Sequence, residues 1–145
     1  KIARILDSHR ITNQIKTNYV LMKLSFQLTV APEEPARYYS HPAFQMWHPY
    51  QLSLLKYQVA MCEEQIKRGK TVTMLPRTYE LVDQYLQLGG ELSQGRPEWL
   101  GMKALHISHQ SNLVHKDPER YRKYFPDVPD HFEYFWPTKV YQEDE

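Results

Sequence analysis

The chain has 145 residues, 41% of them hydrophobic, and a net charge of +1. That length fits one ordinary domain, and the apolar content excludes a wholly disordered chain. No apolar stretch is long enough to span a membrane, so a soluble protein without membrane contact is expected.

Residues Ile2 to about Gln27 predict a long first helix, because Ile2, Ile5, Leu6, Ile11, Ile15, Tyr19, Met22 and Phe26 recur at helical spacing. Asp7, Ser8 and His9 offer an alternative, a shorter helix that starts after a capped turn. Pro32, Pro35 and Pro42 make Thr29 to His41 a loop. Pro42 can start a short helix through Trp47. Pro49 stands near the start of a central helix to about Arg68, with Leu52, Leu55, Val59, Cys62 and Ile66 as its buried stripe. Gly69 ends it. Cys62 is the single cysteine, so no internal disulfide can form, and a reducing, cytoplasmic compartment is expected.

Pro76 opens a helix through Leu88, with Leu81, Val82, Tyr85 and Leu88 inside and Gly89 and Gly90 as its stop. Gly101 to His115 predict a further helix, with Leu105, Ile107 and Leu113 as its apolar residues. Asp117 caps a short one from Pro118 to Tyr124. Beyond Phe125 the prolines Pro126, Pro129 and Pro137 break the chain. Phe132, Tyr134, Phe135 and Trp136 are expected to pack this irregular aromatic tail onto the body. The expected fold is all-α, a single compact helical domain over residues 1–145, with no strand.

Basic residues gather at Lys1 to Lys23, at Lys67 to Lys70 and at Lys116 to Lys123, and they form a patch if these segments converge. The run Ser108 to Lys123 mixes hydroxyls, amides, imidazoles, cations and tyrosines, groups that hold phosphate oxygens but also make an ordinary polar helix surface. His106 and His109 stand three apart, yet no carboxylate or thiolate completes a zinc pattern and His-Glu-x-x-His is missing. No metal and no cofactor are therefore expected. Nor is there a Gly-rich phosphate loop or a Gly-x-Ser-x-Gly elbow.

Three segments together resemble one family. They are Ile5-Leu-Asp-Ser-His-Arg-Ile-Thr-Asn-Gln14, then His41-Pro-Ala-Phe-Gln-Met-Trp47 with Tyr50 and the helix to Arg68-Gly69. The third is Leu105-His-Ile-Ser-His-Gln-Ser-Asn-Leu113 with His115-Lys-Asp-Pro-Glu-Arg-Tyr-Arg122 and Phe135-Trp-Pro137. Their order and spacing resemble the phage and bacterial pyrimidine-dimer DNA glycosylases, also called endonuclease V. The segment 71–95 is the least similar. The resemblance implies a compact helical domain and a double-stranded DNA partner. It also implies a reaction in which an N-terminal α-amine attacks the sugar C1′ of a damaged nucleotide. A Schiff base forms, the base leaves and the strand is cut by elimination, with a glutamate on the first long helix in support.

Thr17 stands where that glutamate is expected, and no Asp or Glu occurs from Ser8 to Ala31. The family's nucleophilic N-terminus lies further upstream than Lys1. The expectation is a DNA-binding protein of base-excision-repair type that is catalytically degenerate. Arg10, Lys16, His109, Asn112, Lys116 and Arg120 are its expected DNA contacts. The rival class is a structural or interaction protein, for instance in a phage particle, that docks a protein partner through the aromatic tail. A third is an enzyme for another nucleobase lesion, with a pocket near His41, Trp47 and His48.

Overall fold

The computed structural model describes residues 2–31, 41–95, 97 and 102–129. The described elements are helical, with no strand among them, as the sequence predicts. No described helix is long and apolar enough to cross a membrane. The chain separates into two compact units, Lys1–Arg96 and Pro97–Glu145.

The first unit contains α1 (Ile2–Ile5), α2 (Ser8–Val30), α3 (Pro42–Trp47), a 3-10 turn (His48–Tyr50), α4 (Gln51–Lys67) and α5 (Met74–Gln87). The predicted long first helix resolves into its alternative. Asp7 is extended, and its carboxylate accepts the Arg10 amide at 3.3 Å and pairs with the Arg10 guanidinium at 2.9 Å. An aspartate there satisfies an amide that the first turn leaves open, so the helix restarts at Ser8. It then runs to Val30, past the predicted end at Gln27. Ala31 stops it because the residue before a proline is kept out of the helical region.

Both predicted glycine stops are seen. Gly69 and Gly89 have φ of 87° and 89°. The amides of Lys70 and Gly90 reach back to the Gln65 and Tyr85 carbonyls at 3.0 Å, which closes α4 and α5 in the same way. Gly90 has a second reason to lack a side chain, since a Cβ would lie 2.2 Å from the buried Tyr85 ring.

Of the predicted stripe of α4 only Cys62 is fully buried, and the rest requires correction. The buried residues are Gln51, Leu54, Gln58, Met61, Cys62 and Gln65. Leu52, Leu55 and Val59 are half-buried at the flanks, and Ile66 is 48% exposed. Glutamines at seven-residue spacing occupy the centre of the face because each finds partners. Gln65 Nε2 donates to the Ser8 carbonyl (3.0 Å) and Thr12 Oγ1 (2.9 Å). Gln58 Nε2 donates to the Ile15 carbonyl (3.0 Å) and Thr78 Oγ1 (3.4 Å). Gln51 Nε2 donates to Ser25 Oγ (2.9 Å) and Thr29 Oγ1 (3.2 Å), while its Oε1 accepts from Tyr85 Oη (3.2 Å) and the Ser93 amide (3.0 Å). A buried amide with such bonds is tolerated where an unbonded one is not. The apolar core lies around Leu21, Met22, Phe26, Phe44, Leu54, Val82 and Tyr85, with the Phe26 and Tyr85 rings stacked 4.0 Å apart. Leu88, predicted inside, is 70% exposed beyond the end of α5.

Arg68 fastens α1 to α4. Its guanidinium donates to the Ala3 and Arg4 carbonyls, to Ser8 Oγ and to Glu64. Charged hydrogen bonds of this kind are worth about 1.5–3 kcal/mol together with the acceptors they satisfy. Arg68→Ala should lower the stability of the unit by about that amount. Amide exchange should rise first in residues 2–8, and uniform exchange across α2 and α4 would contradict this role.

The second unit contains α6 (Lys103–Lys116) and α7 (Pro118–Tyr121). α6 starts after the predicted Gly101, and its buried residues are Leu105, Ser108, Ser111 and Val114, with Ile107 and Leu113 half-buried. Asp117 caps α7 as predicted, accepting the Arg120 amide at 3.3 Å. α7 ends at Tyr121 rather than Tyr124, and the Arg122 guanidinium ties down the following turn through the Phe125, Pro126 and Val128 carbonyls. The aromatic tail Phe132, Tyr134, Phe135 and Trp136 lies outside the described residues.

Candidate nucleic-acid interface

In the first unit the candidate DNA contacts lie on α2. Its exposed residues include Asn13, Lys16, Thr17, Val20 and Lys23, and the helix has no acidic residue. α2 therefore contributes exposed cations and no carboxylate of its own. Arg10, two turns earlier, is half-buried and paired with Asp7, which offsets its charge.

Lys16 is one of the residues that line a shallow pocket of about 150 Å³. Thr12 and Lys16 of α2, Gln65 of α4, and Lys70, Thr71 and Thr73 of the connection to α5 line it, with three apolar side chains between them. No carboxylate is in the lining. Thr73 precedes α5 without a side-chain cap hydrogen bond, so it does not occupy the first-turn amides of that helix. Lys70 belongs to the basic cluster legible in the sequence. Thr71 and Thr73 carried no signal, since only the turn after Gly69 brings them beside α2.

The trio His41, Trp47 and His48 is not part of that lining. His41 is exposed, and its Nδ1 accepts the Ala43 amide at 3.0 Å as the cap of α3. Trp47 stacks on Tyr57 with centroids 5.4 Å apart. His48 stacks on Phe44, and its Nδ1 lies 2.7 Å from Ser25 Oγ. Because Ser25 already accepts from Gln51, its hydroxyl proton is available to His48 Nδ1, which suits a neutral ring. Burial also lowers the His48 pKa.

In the second unit Lys116 is exposed at the end of α6, and Asn112 is half-buried. The Arg120 guanidinium lies 5.7 Å from the Tyr121 ring centre. His109 is half-buried, and desolvation, with the neighbouring His106 adding to it, pulls its pKa down to about 4. It is therefore uncharged near neutrality and offers phosphate only a neutral hydrogen bond. An unfolded chain protonates this ring near 6.5, so the unfolded state binds more protons between pH 6.5 and about 4. The stability of the second unit should be full above pH 6.5 and should fall as pH drops through that window, by at most about 1.4 kcal/mol per unit. Urea titrations across the range, with the His109 ring followed by NMR, check this. A ring that titrates near 6.5 in the folded chain would contradict it.

Among the described residues no group of three His, Cys, Asp or Glu side chains is placed to hold a metal ion.

Comparison with curated proteins and with solved structures gave no match. A family model described as pyrimidine dimer DNA glycosylase matches residues 2–78. The matched stretch runs from α1 into α5 and contains Thr17, the Lys16 pocket and the His41, Trp47 and His48 trio, whereas His109, Asn112, Lys116 and Arg120 lie beyond it. The match covers more than half of the sequence, and the chain belongs to the pyrimidine dimer DNA glycosylase family.

Proposed function

We propose that this chain binds double-stranded DNA at sites of damage or modification and that its glycosylase and lyase chemistry is degenerate. The observation that carries the reading is the exposed face of α2. Lys16 and Lys23 are exposed there at seven-residue spacing, Thr17 is exposed next to Lys16 in the chain, and the whole helix lacks an acidic side chain. Such a face attracts phosphate oxygens, and no carboxylate of α2 itself repels them. It also has nothing to balance the positive charge that develops on a sugar as its base departs. Family membership over residues 2–78 supports DNA as the ligand. Lys116 and Arg120 are further phosphate contacts in this reading. Asn112 and the neutral His109 are hydrogen-bonding ones.

Duplex binding measured against salt tests the reading. The logarithm of the affinity should fall linearly with the logarithm of salt concentration, with a slope of about −0.9 per phosphate engaged. A duplex carrying a cyclobutane dimer or an abasic site should bind more tightly than an intact one, because a weakened base pair costs less to open. No binding to any duplex, or binding indifferent to salt, would overturn the proposal.

A further inference from the structure

We infer that Arg77 is a further phosphate contact, and that with Lys16 and Lys23 it makes the seam between α2 and α5 a cationic strip that follows one strand of a DNA duplex. The inference rests on the DNA-binding reading and adds a residue and a track to it. α5 packs against α2, and the Arg77 guanidinium lies 5.3 Å from the centre of the Tyr19 ring. A cation over an aromatic face is attracted by the charge distribution of the ring, so this guanidinium is held against α2 before any ligand arrives. Tyr19 comes three residues after Lys16 and four before Lys23. That spacing puts Lys16, Tyr19 and Lys23 on one flank of the helix, and Arg77 therefore stands between the two lysines along the axis. All three cations are exposed.

Arg77 differs from the arginines that hold the fold together. Arg68 and Arg122 direct their N–H groups to backbone carbonyls, and Arg10 pairs with Asp7. The contact with Tyr19 occupies none of the five N–H donors of Arg77, and among the described residues Arg77 makes no hydrogen bond and no ion pair. Lys16 and Lys23 have no carboxylate partner either. The acids of α5 nearest to Arg77 in sequence are turned from it, Glu80 by about 60° around the helix and Asp83 by about 120°. The strip is thus a fixed guanidinium with open donors between two lysines, without a counter-charge from α2. Lys16 and Lys23 lie about 10 Å apart along the axis, and a duplex strand advances about 3.4 Å per phosphate, so the strip matches about three successive phosphates. Thr17 is turned about 100° from Lys16, so a strand on the strip passes beside Thr17 and not over it.

Duplex affinity measured against salt for the parent, Arg77→Gln and Lys56→Gln tests the strip. Lys56 is exposed on α4, about 160° around that helix from the buried Gln58, so its loss changes the net charge equally away from the seam. Arg77→Gln should reduce the salt slope by about one phosphate equivalent and weaken binding alike on every sequence, with the circular dichroism of the parent. Lys56→Gln should leave slope and affinity unchanged. An unchanged slope in Arg77→Gln, or an equal reduction in Lys56→Gln, would overturn the strip while leaving the DNA-binding reading intact. Loss of helical signal in Arg77→Gln would make the residue a strut of the fold and would overturn the assignment as well. If the parent binds no duplex, the DNA-binding reading fails and the strip falls with it.

Discussion

Leu54→Asp should unfold the first unit in dilute buffer. Leu54 is 1% exposed and belongs to the cluster of Leu21, Met22, Phe26, Phe44, Val82 and Tyr85. Truncating a buried leucine costs about 2–5 kcal/mol, and an aspartate adds the expense of a charge with no partner or of its protonation. The sum approaches the whole stability of an ordinary domain, about 5–15 kcal/mol. Leu55→Asp should cost clearly less, because its site is half-buried and a short carboxylate there can turn to water. Ile66→Asp, at a position 48% exposed, should stay within about 0.5 kcal/mol of the parent. Urea denaturation of the three variants checks the order. Equal losses at Leu54 and Ile66 would mean that α4 is turned about its axis relative to the arrangement described.

That order differs from the one the hydrophobic pattern predicts, and the reason is physical. Helical spacing selects Leu52, Leu55, Val59, Cys62 and Ile66, of which only Cys62 is fully buried, because periodicity gives apolar residues the inside. It has no way to count the hydrogen bonds that Gln51, Gln58 and Gln65 make once α2 lies alongside. Those bonds exist only in the packed state, so single-helix reasoning places the α4 face one position away from the observed one. Local signals fared better. Asp7, Gly69, Gly89 and Asp117 act through backbone conformation or capping within a few residues, and each ends or starts a helix where its chemistry predicts.

The candidate site was legible to a similar depth. Lys16 and Thr17 follow from the motif beginning at Ile5, and their exposure follows from the helix around them. Lys70 was visible only as one of a group of cations, and its partnership with Lys16 depends on the path of the chain after Gly69. The charge state of His109 was out of reach, since the burial that lowers its pKa is a tertiary property. Arg122 shows the converse. Its type suggests a phosphate contact, but its guanidinium is engaged by the carbonyls of its own turn.

The second large effect concerns the chemistry itself. An amine that attacks a sugar carbon needs a nearby negative charge to stabilise the cationic sugar and to move protons, and losing one such group costs on the order of a hundredfold in rate. Thr17 is exposed at the expected place, and it cannot carry that charge. Borohydride trapping on a duplex with an abasic site or a cyclobutane dimer reads the defect directly. It should be run with the chain and with a chain extended upstream of Lys1, each with and without Thr17→Glu. Duplex affinity is measured in the same samples. The expected result is salt-dependent duplex binding by all four proteins, little trapped adduct wherever Thr17 remains, and an increase on the order of a hundredfold when the extension and Thr17→Glu are combined. Efficient trapping by either protein that retains Thr17 would contradict it.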